Sequence, residues 1–437
     1  MYRGRRAAAP RSMKLSELPR RTPFFYGWII LACAMCASFA RQAAAVATLS
    51  VFVVPMTVEF DWSRSQMSGA VALGGVLAAL VSPMLGRLVD RSGARTLLVV
   101  STIAIASVAF ALSATASLLW FYVFFAIGRM IFASPFDIGT SAAVANWFRR
   151  KRSRAMSYLA LGSGASLAVM PMMAGFVIAA SDWRMAWIAV GLAALIVGAV
   201  PNGLLMVRRP EDVGLRPDGD AASGPGSAGD AHGGEVQFAP GEAARTPALW
   251  LLMLYMALIY SVQAGMSLHQ APHMIERGLS PAVAASIVGT FSLLAATGSF
   301  AFGWIGARLA TRHCLALAAA IIAAGAWLTY EVDGTAHAYL AAVVFGFGIG
   351  GLLTMTPVAF ADYFGRASFG AIRGIALPVQ IAGQASGPLL AGLLRDQHGS
   401  YHVALATFFL MACTAAVVAL FARPPRAPAR PRIRACG

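Results

Sequence analysis

The chain has 437 residues, of which 58% are hydrophobic and only 12% are charged, and its mean hydropathy is +0.69. Soluble domains carry about 25% charged residues, so this composition excludes a water-soluble globular protein. The net charge is +16, but the basic residues lie in short clusters between apolar runs. That arrangement argues against a nucleic-acid binder, which gathers its basic residues on one face of a soluble domain.

Twelve apolar runs approach the length of about 20 residues that a membrane-spanning helix needs. Six precede a polar stretch and six follow it. The predicted spans are 26–50, 66–86, 96–115, 119–146, 155–179, 185–207, 248–271, 282–304, 314–330, 337–360, 371–393 and 401–422.

The polar stretch between the two sets of spans covers residues 208–247. Its segment 218–230 is rich in Gly, Ser and Asp, a composition that does not bury apolar surface and predicts a flexible linker. The predicted organisation is an N-terminal tail (1–25), a first half (26–207), the linker (208–247), a second half (248–422) and a C-terminal tail (423–437).

The basic residues orient the spans. Arg and Lys number 28 in the tails, the linker and the loops on one side, against four in the loops on the other: Arg64, Arg184, Arg277 and Arg395. Positively charged loops stay in the cytoplasm, so both termini and the linker are predicted to be cytoplasmic. The bias to Arg over Lys, with abundant Ala and Gly, is typical of a GC-rich bacterial genome and predicts the inner membrane of a bacterium.

The two halves also repeat. A shift of 217 residues places Ser63 on Ser280, Gly86 on Gly303 and Arg149 on Arg366. Parallel six-span repeats related by an axis along the membrane normal describe the major facilitator architecture. The sequence therefore predicts an all-α integral membrane protein with the major facilitator fold, in which twelve transmembrane helices form two pseudo-symmetric halves.

The sharpest motif joins the second and third spans. Gly86-Arg-Leu-Val-Asp90-Arg91-Ser-Gly93-Ala-Arg95 resembles the loop signature of the major facilitator superfamily, G-x-L-x-D-R-x-G-x-R. The resemblance implies a gate: the glycines allow a tight turn, Asp90 faces the N-terminus of another helix, and Arg91 and Arg95 form ion pairs that break when the halves rock. The alternative is a charged loop that only obeys topology. The second repeat has Ala307 in place of Asp90.

Three further phrases narrow the resemblance. They begin at Phe60-Asp-Trp62, at Trp147-Phe148-Arg-Arg and at Arg209-Pro-Glu-Asp, and together they resemble the bacterial monocarboxylate-transporter-like branch, which includes oxalate/formate exchangers. The branch implies carboxylate transport by proton symport or anion exchange. Its carboxylate carriers commonly place a basic residue in the eighth span, and the run 282–304 has none.

Ionisable residues within spans mark the candidate substrate site, since they are costly in a membrane. The first span carries Arg41 and Gln42, and the fourth carries Arg129 and, two turns on, Asp137. The planar fork of Arg suits a carboxylate, and Asp137 either balances an Arg or carries a coupled proton. The alternatives are snorkelling for Arg41 and a structural role for Arg129.

In the second half, Gln263, Gln380 and Gln384 either hydrogen-bond the substrate or join helices to one another. His269 and His273 lie near the outer end of the seventh span, as candidate proton carriers or as solvated interfacial residues. Of these two, His269 is the one assigned to proton coupling.

Enzymatic and metal chemistry are not expected. The sequence has no H-E-x-x-H, G-x-S-x-G or P-loop, so no catalytic residue, cofactor or ATP drive is predicted. Cys33 and Cys36 match C-x-x-C, but they lie in an apolar run, whereas redox and zinc motifs need accessible settings.

The favoured hypothesis is a monomeric secondary carrier that moves a small organic anion together with a proton or against a counter-anion. The alternative is an exporter of hydrophobic or cationic compounds. Two Arg against one Asp in the predicted cavity favour the anion.

Overall fold

The computed structural model describes residues 22–219 and 237–426 and contains helices but no strand in those ranges. Ten helices are long and apolar enough to cross a membrane. One of them, Gln66–Ser113, consists of two spans that meet at a kink at Gly93. The helix Phe369–His398 is also long enough to cross but is more polar. Together they give twelve spans.

The helices of the first half are Gly27–Arg41 and Val46–Phe60 (first span), Arg64–Ser113 (second and third), Leu118–Ala133 and Pro135–Trp147 (fourth), Arg152–Ala180 (fifth), and Trp183–Ala194 with Val200–Leu205 (sixth). Those of the second half are Pro247–Glu276, Pro281–Ile305, Thr311–Tyr330, Thr335–Phe364, Phe369–His398 and His402–Phe421. Shorter turns are Gln42–Ala44, Leu195–Ala199, Pro210–Val213, Pro217–Gly219 and Pro240–Ala244.

The repeat predicted from the sequence is present in the structure. The fourth and tenth spans begin at Leu118 and Thr335, and the fifth and eleventh at Arg152 and Phe369, so both pairs differ by the same 217 residues. Ser63 and Ser280 also cap equivalent helices, accepting from the backbone N–H groups of Gln66 at 3.2 Å and Val283 at 3.4 Å. The pseudo-symmetric fold is confirmed.

Two contacts between the halves obey the same symmetry. In the 2–11 seam, where the second span meets the eleventh, a Cβ at Gly86 would collide with the carbonyl of Gly370. In the 5–8 seam, where the fifth span meets the eighth, the equivalent residues are Ser153 and Gly303, and the Ser153 hydroxyl donates to the Gly303 carbonyl at 2.9 Å.

The first and fourth spans are broken, although the sequence predicts each as one helix. Ala45 is extended, with ψ of 150°, and the hydroxyl of Thr48 donates at 2.6 Å to the Gln42 carbonyl that the break exposes. In the fourth span, Ser134 leaves helical geometry and Pro135 starts a new helix, because proline has no N–H for the preceding turn. The first span also extends to Phe60 instead of ending near residue 50.

Both ends of the linker are attached to the bundle. The Asp218 carboxylate accepts the backbone N–H groups of Arg149, Arg150 and Lys151 at 2.7–3.2 Å, at the start of the fifth span. Phe238 is buried, and its N–H donates to the Phe364 carbonyl at 3.0 Å. The predicted flexibility therefore does not extend to residues 208–219 and 237–247, and 220–236 lie outside the described residues.

The halves meet on one side of the bundle, which we call the linker face because the described ends of the linker lie there. On this face Arg152 of the fifth span pairs with Asp362 of the tenth at 2.7 Å. Arg366 pairs with Glu211, which follows the sixth span. Both ion pairs connect the first half to the second.

The opposite side, which we call the distal face, lacks such pairs among the described residues. Glu59 pairs with Arg184 at 2.6 Å within the first half, and Glu276 pairs with Arg395 at 3.0 Å within the second. The structure is therefore a conformation in which ion pairs close the linker face and leave the distal face without such a bridge.

Candidate functional site

The two helix breaks place opposite charges at helix ends in the interior. Arg41 is the last residue of Gly27–Arg41, and Asp137 lies in the first turn of Pro135–Trp147. A helix dipole favours a cation at its C-terminus and an anion at its N-terminus. Arg41 Nη1 lies 3.9 Å from Asp137 Oδ1.

A residue from the second half completes this group. Arg373 Nη2 lies 3.2 Å from Asp137 Oδ2 and donates to Gln380 Oε1 at 2.7 Å. Arg373 is only 2% exposed. Asp137 thus lies between Arg41 and Arg373, and each of its oxygens faces one guanidinium.

Sequence reasoning missed Arg373, because its position just inside the predicted start of the eleventh span counted it with the cytoplasmic loop. A signal was available: Gln380 follows Arg373 by seven residues, two helical turns on the same face. A cation and an amide aligned on a span indicate an inward-facing polar stripe.

Arg129 is not paired with Asp137, because the break at Ser134 separates the two helix segments that carry them. Its guanidinium carbon lies 4.2 Å from the centroid of Phe132, and that of Arg41 lies 4.3 Å from the same ring. Gly74 packs against Arg129, where a Cβ would collide. Arg129 makes no ion pair with any described residue.

The centre carries an excess of positive charge, with three arginines against one aspartate. Arg41 Nε, Arg373 Nε and Gln42 Oε1 are buried without a hydrogen-bond partner in the structure. Buried charges are costly unless they are paired, so free guanidinium donors in a cationic centre favour an anionic ligand. No cluster of His, Cys, Asp or Glu suited to a metal ion occurs in the described ranges.

The other predicted substrate residues are only partly assembled. Gln380 joins the centre through Arg373, and Gln42 is 5% exposed beside the first-span break. Gln263 donates to Ser267 of its own helix at 3.3 Å. Gln384 is exposed and has no hydrogen-bond partner among the described residues.

His269 lies apart from this centre. Its Nδ1 is 3.1 Å from the Tyr401 hydroxyl, and its Nε2 is 3.1 Å from the Pro388 carbonyl. A carbonyl only accepts, so Nε2 carries the hydrogen. His273 is buried against the Thr329 carbonyl at 3.0 Å. Both contacts join elements of the second half, and neither histidine touches Asp137.

The predicted gate is present on the linker face. Asp90 Oδ1 and Oδ2 accept the backbone N–H groups of Gly370 at 2.9 Å and Ala371 at 2.8 Å, in the first turn of the eleventh span, as the helix-dipole argument anticipates. Gly93 has a φ of 83°, which suits the expected turn. Gly86 differs from expectation, since it serves close helix packing in the 2–11 seam.

The two gate arginines do not make the expected pairs between halves. Arg91 is exposed and makes no hydrogen bond or ion pair with the described residues. Arg95 donates to the Gly203 carbonyl within the first half. Contacts between the halves at the gate come from Asp90 and the glycines, because the arginine side chains lie on the outer surface of the loop.

Comparisons with known proteins agree with this geometry. The sequence profile of the Major Facilitator Superfamily matches residues 28–277 and 265–435. Monocarboxylate transporter 11 of Homo sapiens is 25% identical over 395 residues, which cover 86% of this chain and 78% of that protein.

Three solved structures share the fold. They are the transporter FucP in the outward conformation (TM-score 0.69, 15% identity, 91% of this chain and 99% of that one), the human organic anion transporter MFSD10 (0.69, 15%, 91% and 100%), and the proton:xylose symporter XylE (0.72, 14%, 90% and 94%). At these identities the likeness concerns the fold alone. With a profile match over most of its length and twelve spans in two halves, the chain belongs to the Major Facilitator Superfamily and is a multi-pass membrane transporter, not an enzyme.

Proposed function

We propose that the chain is a secondary active transporter of a small organic anion, a monocarboxylate or a related carboxylate. The observation that carries this proposal is the charge at the centre, where Arg41, Arg129 and Arg373 face one carboxylate, that of Asp137. The similarity to a monocarboxylate transporter supports the same class of substrate. A cationic substrate would be repelled by this centre.

In this proposal, Arg41 and Arg373 hold the carboxylate, because a guanidinium offers two parallel donors in a fixed fork. Arg129, held by Phe132, adds positive potential. Gln42, Gln263, Gln380 and Gln384 supply hydrogen bonds to the remaining polar atoms of the substrate or to the arginines.

The transport cycle follows from the closed linker face. With both termini and the linker in the cytoplasm of a bacterium, and the chain in the inner membrane as a monomer, the structure is outward-facing. Turning inward requires the Asp90 contacts and the Arg152–Asp362 pair to break while residues 26–207 and 248–422 rock as two bodies. A proton or a counter-anion drives the cycle.

Uptake into proteoliposomes tests the proposal. The purified transporter is assayed with labelled acetate, lactate, pyruvate, oxalate and succinate, each with an inward proton gradient or with unlabelled acid inside. We expect saturable uptake of at least one acid, and the stimulating condition separates symport from exchange. Transport of a lipophilic cation such as ethidium, with no acid transported, contradicts the proposal and favours the exporter.

A further inference from the structure

Asp137 occupies the place where a bound carboxylate would lie. One of its oxygens is 3.9 Å from Arg41 and the other is 3.2 Å from Arg373, so a single carboxylate bridges guanidiniums from the two halves. A substrate carboxylate has the same charge and the same two oxygens. The structure thus shows an internal group in the position that the proposed substrate requires.

Access to the two arginines is unequal. The side chains of Arg41 and Asp137 are 22% and 18% exposed, whereas that of Arg373 is 2% exposed. The Arg373 atom that an entering anion would contact is already engaged by Asp137 and Gln380. An anion therefore reaches both guanidiniums only by replacing the Asp137 carboxylate.

A displaced Asp137 loses its charge compensation. The charged and titratable groups that face it are Arg41 from the first span, Arg373 from the eleventh and Tyr260 from the seventh, with Arg129 on its own span. Once a substrate holds the two arginines, a neutral tyrosine does not balance a second carboxylate. An unpaired carboxylate in the membrane interior is costly, and a bound proton removes that charge.

We propose that the carboxylate of the transported anion replaces that of Asp137 between Arg41 and Arg373, and that Asp137 takes up one proton as it is displaced. This inference rests on the proposed function and specifies its coupling. One anion and one proton enter together, so the charge of the centre is unchanged. On release, Asp137 gives up the proton and pairs again with both arginines. The cycle is electroneutral symport.

Isothermal titration calorimetry of the purified protein tests the coupling directly. The panel acid that binds the parent most tightly is titrated in two buffers of different ionisation enthalpy, which counts the protons taken up. We expect one proton per anion in the parent. The apparent Kd should rise about tenfold per pH unit in the coupled range, since binding takes up a proton.

The Asp137→Asn variant removes the competing carboxylate. We expect zero protons per anion, no dependence of Kd on pH, and binding at least as tight as that of the parent at high pH. Asp137→Glu should restore the count of one. Asp396→Asn is the matched control: it changes a carboxylate that is 75% exposed near the distal end of the eleventh span, and it should behave as the parent.

The outcomes separate the two proposals. A parent that binds an acid without taking up a proton overturns the coupling and leaves the proposed function intact, and so does an Asp137→Asn protein that retains the parent's proton count. If Asp137→Asn does not fold, the proton count of the parent and of Asp137→Glu decides. A parent that binds none of the panel acids overturns the proposed function and the coupling together.

Discussion

The two halves share one helix plan but differ in the chemistry of their interiors. The shift of 217 residues that aligns their helices places Arg41 on Leu258, Arg129 on Gly346 and Asp137 on Thr354. The first and fourth spans are broken beside these charges, whereas their counterparts Pro247–Glu276 and Thr335–Phe364 are continuous. The symmetry therefore describes the scaffold and not the site.

The difference shows how a membrane protein places charge at depth. A break frees helix ends, and helix ends stabilise Arg41 and Asp137 through their dipoles. The second half provides a charge without a break: Arg373 lies in a continuous helix, and its counterpart in the first half is Met156. Arg373 is stabilised by its partners Asp137 and Gln380 instead.

Removing the second half's charge should have the largest effect. Arg373→Gln leaves Asp137 with Arg41 alone at 3.9 Å, and breaking a buried ion pair costs about 3–5 kcal/mol. We expect a markedly lower unfolding temperature in detergent and no measurable substrate binding. The double variant Arg373→Gln/Asp137→Asn should recover most of the stability. A double variant no more stable than the single one would contradict the pairing.

Removing the first half's charge should act on binding more than on stability. Losing a charged hydrogen-bond partner in a dry site costs about 2–5 kcal/mol, so Arg41→Ala should nearly abolish transport. Arg41→Lys keeps the charge without the fork and should bind more weakly. Leu258→Ala, at the symmetric position, is the matched control and should bind as the parent. Parental affinity in folded Arg41→Ala removes Arg41 from the site.

The overall fold was predictable from the sequence, because spans, orientation and repeat depend on hydropathy, charge bias and periodicity over long segments. The Asp90 cap was predictable because a motif and a helix dipole agree. The helix breaks at Ala45 and Ser134 were not, since apolar residues continue through both and only Pro135 gives a local signal. Without those breaks, Asp137 was aligned with Arg129, and Arg373 was left in a loop.

At the gate, Asp90→Asn should change turnover and not affinity. The amide keeps one acceptor but loses the charge at the helix N-terminus, which is worth about 0.3–1 kcal/mol. The closed linker face should lose population, so cysteines lining the cytoplasmic side of the cavity should label faster. Equal labelling of Asp90→Asn and the parent, with equal turnover, would count against the gate.

The 5–8 seam should respond least, because its symmetric contact carries no charge. Ala307 replaces Asp90, and the seam has a neutral hydrogen bond in which Ser153 donates to the Gly303 carbonyl at 2.9 Å. A bond of this kind contributes about 0.5–1.5 kcal/mol, and the neighbouring Arg152–Asp362 pair remains in Ser153→Ala. Turnover and cysteine labelling should therefore stay within about twofold of the parent. If Ser153→Ala opens the linker face as far as Asp90→Asn does, the two seams are equivalent in energy as well as in geometry, and the charge of Asp90 is not what distinguishes them.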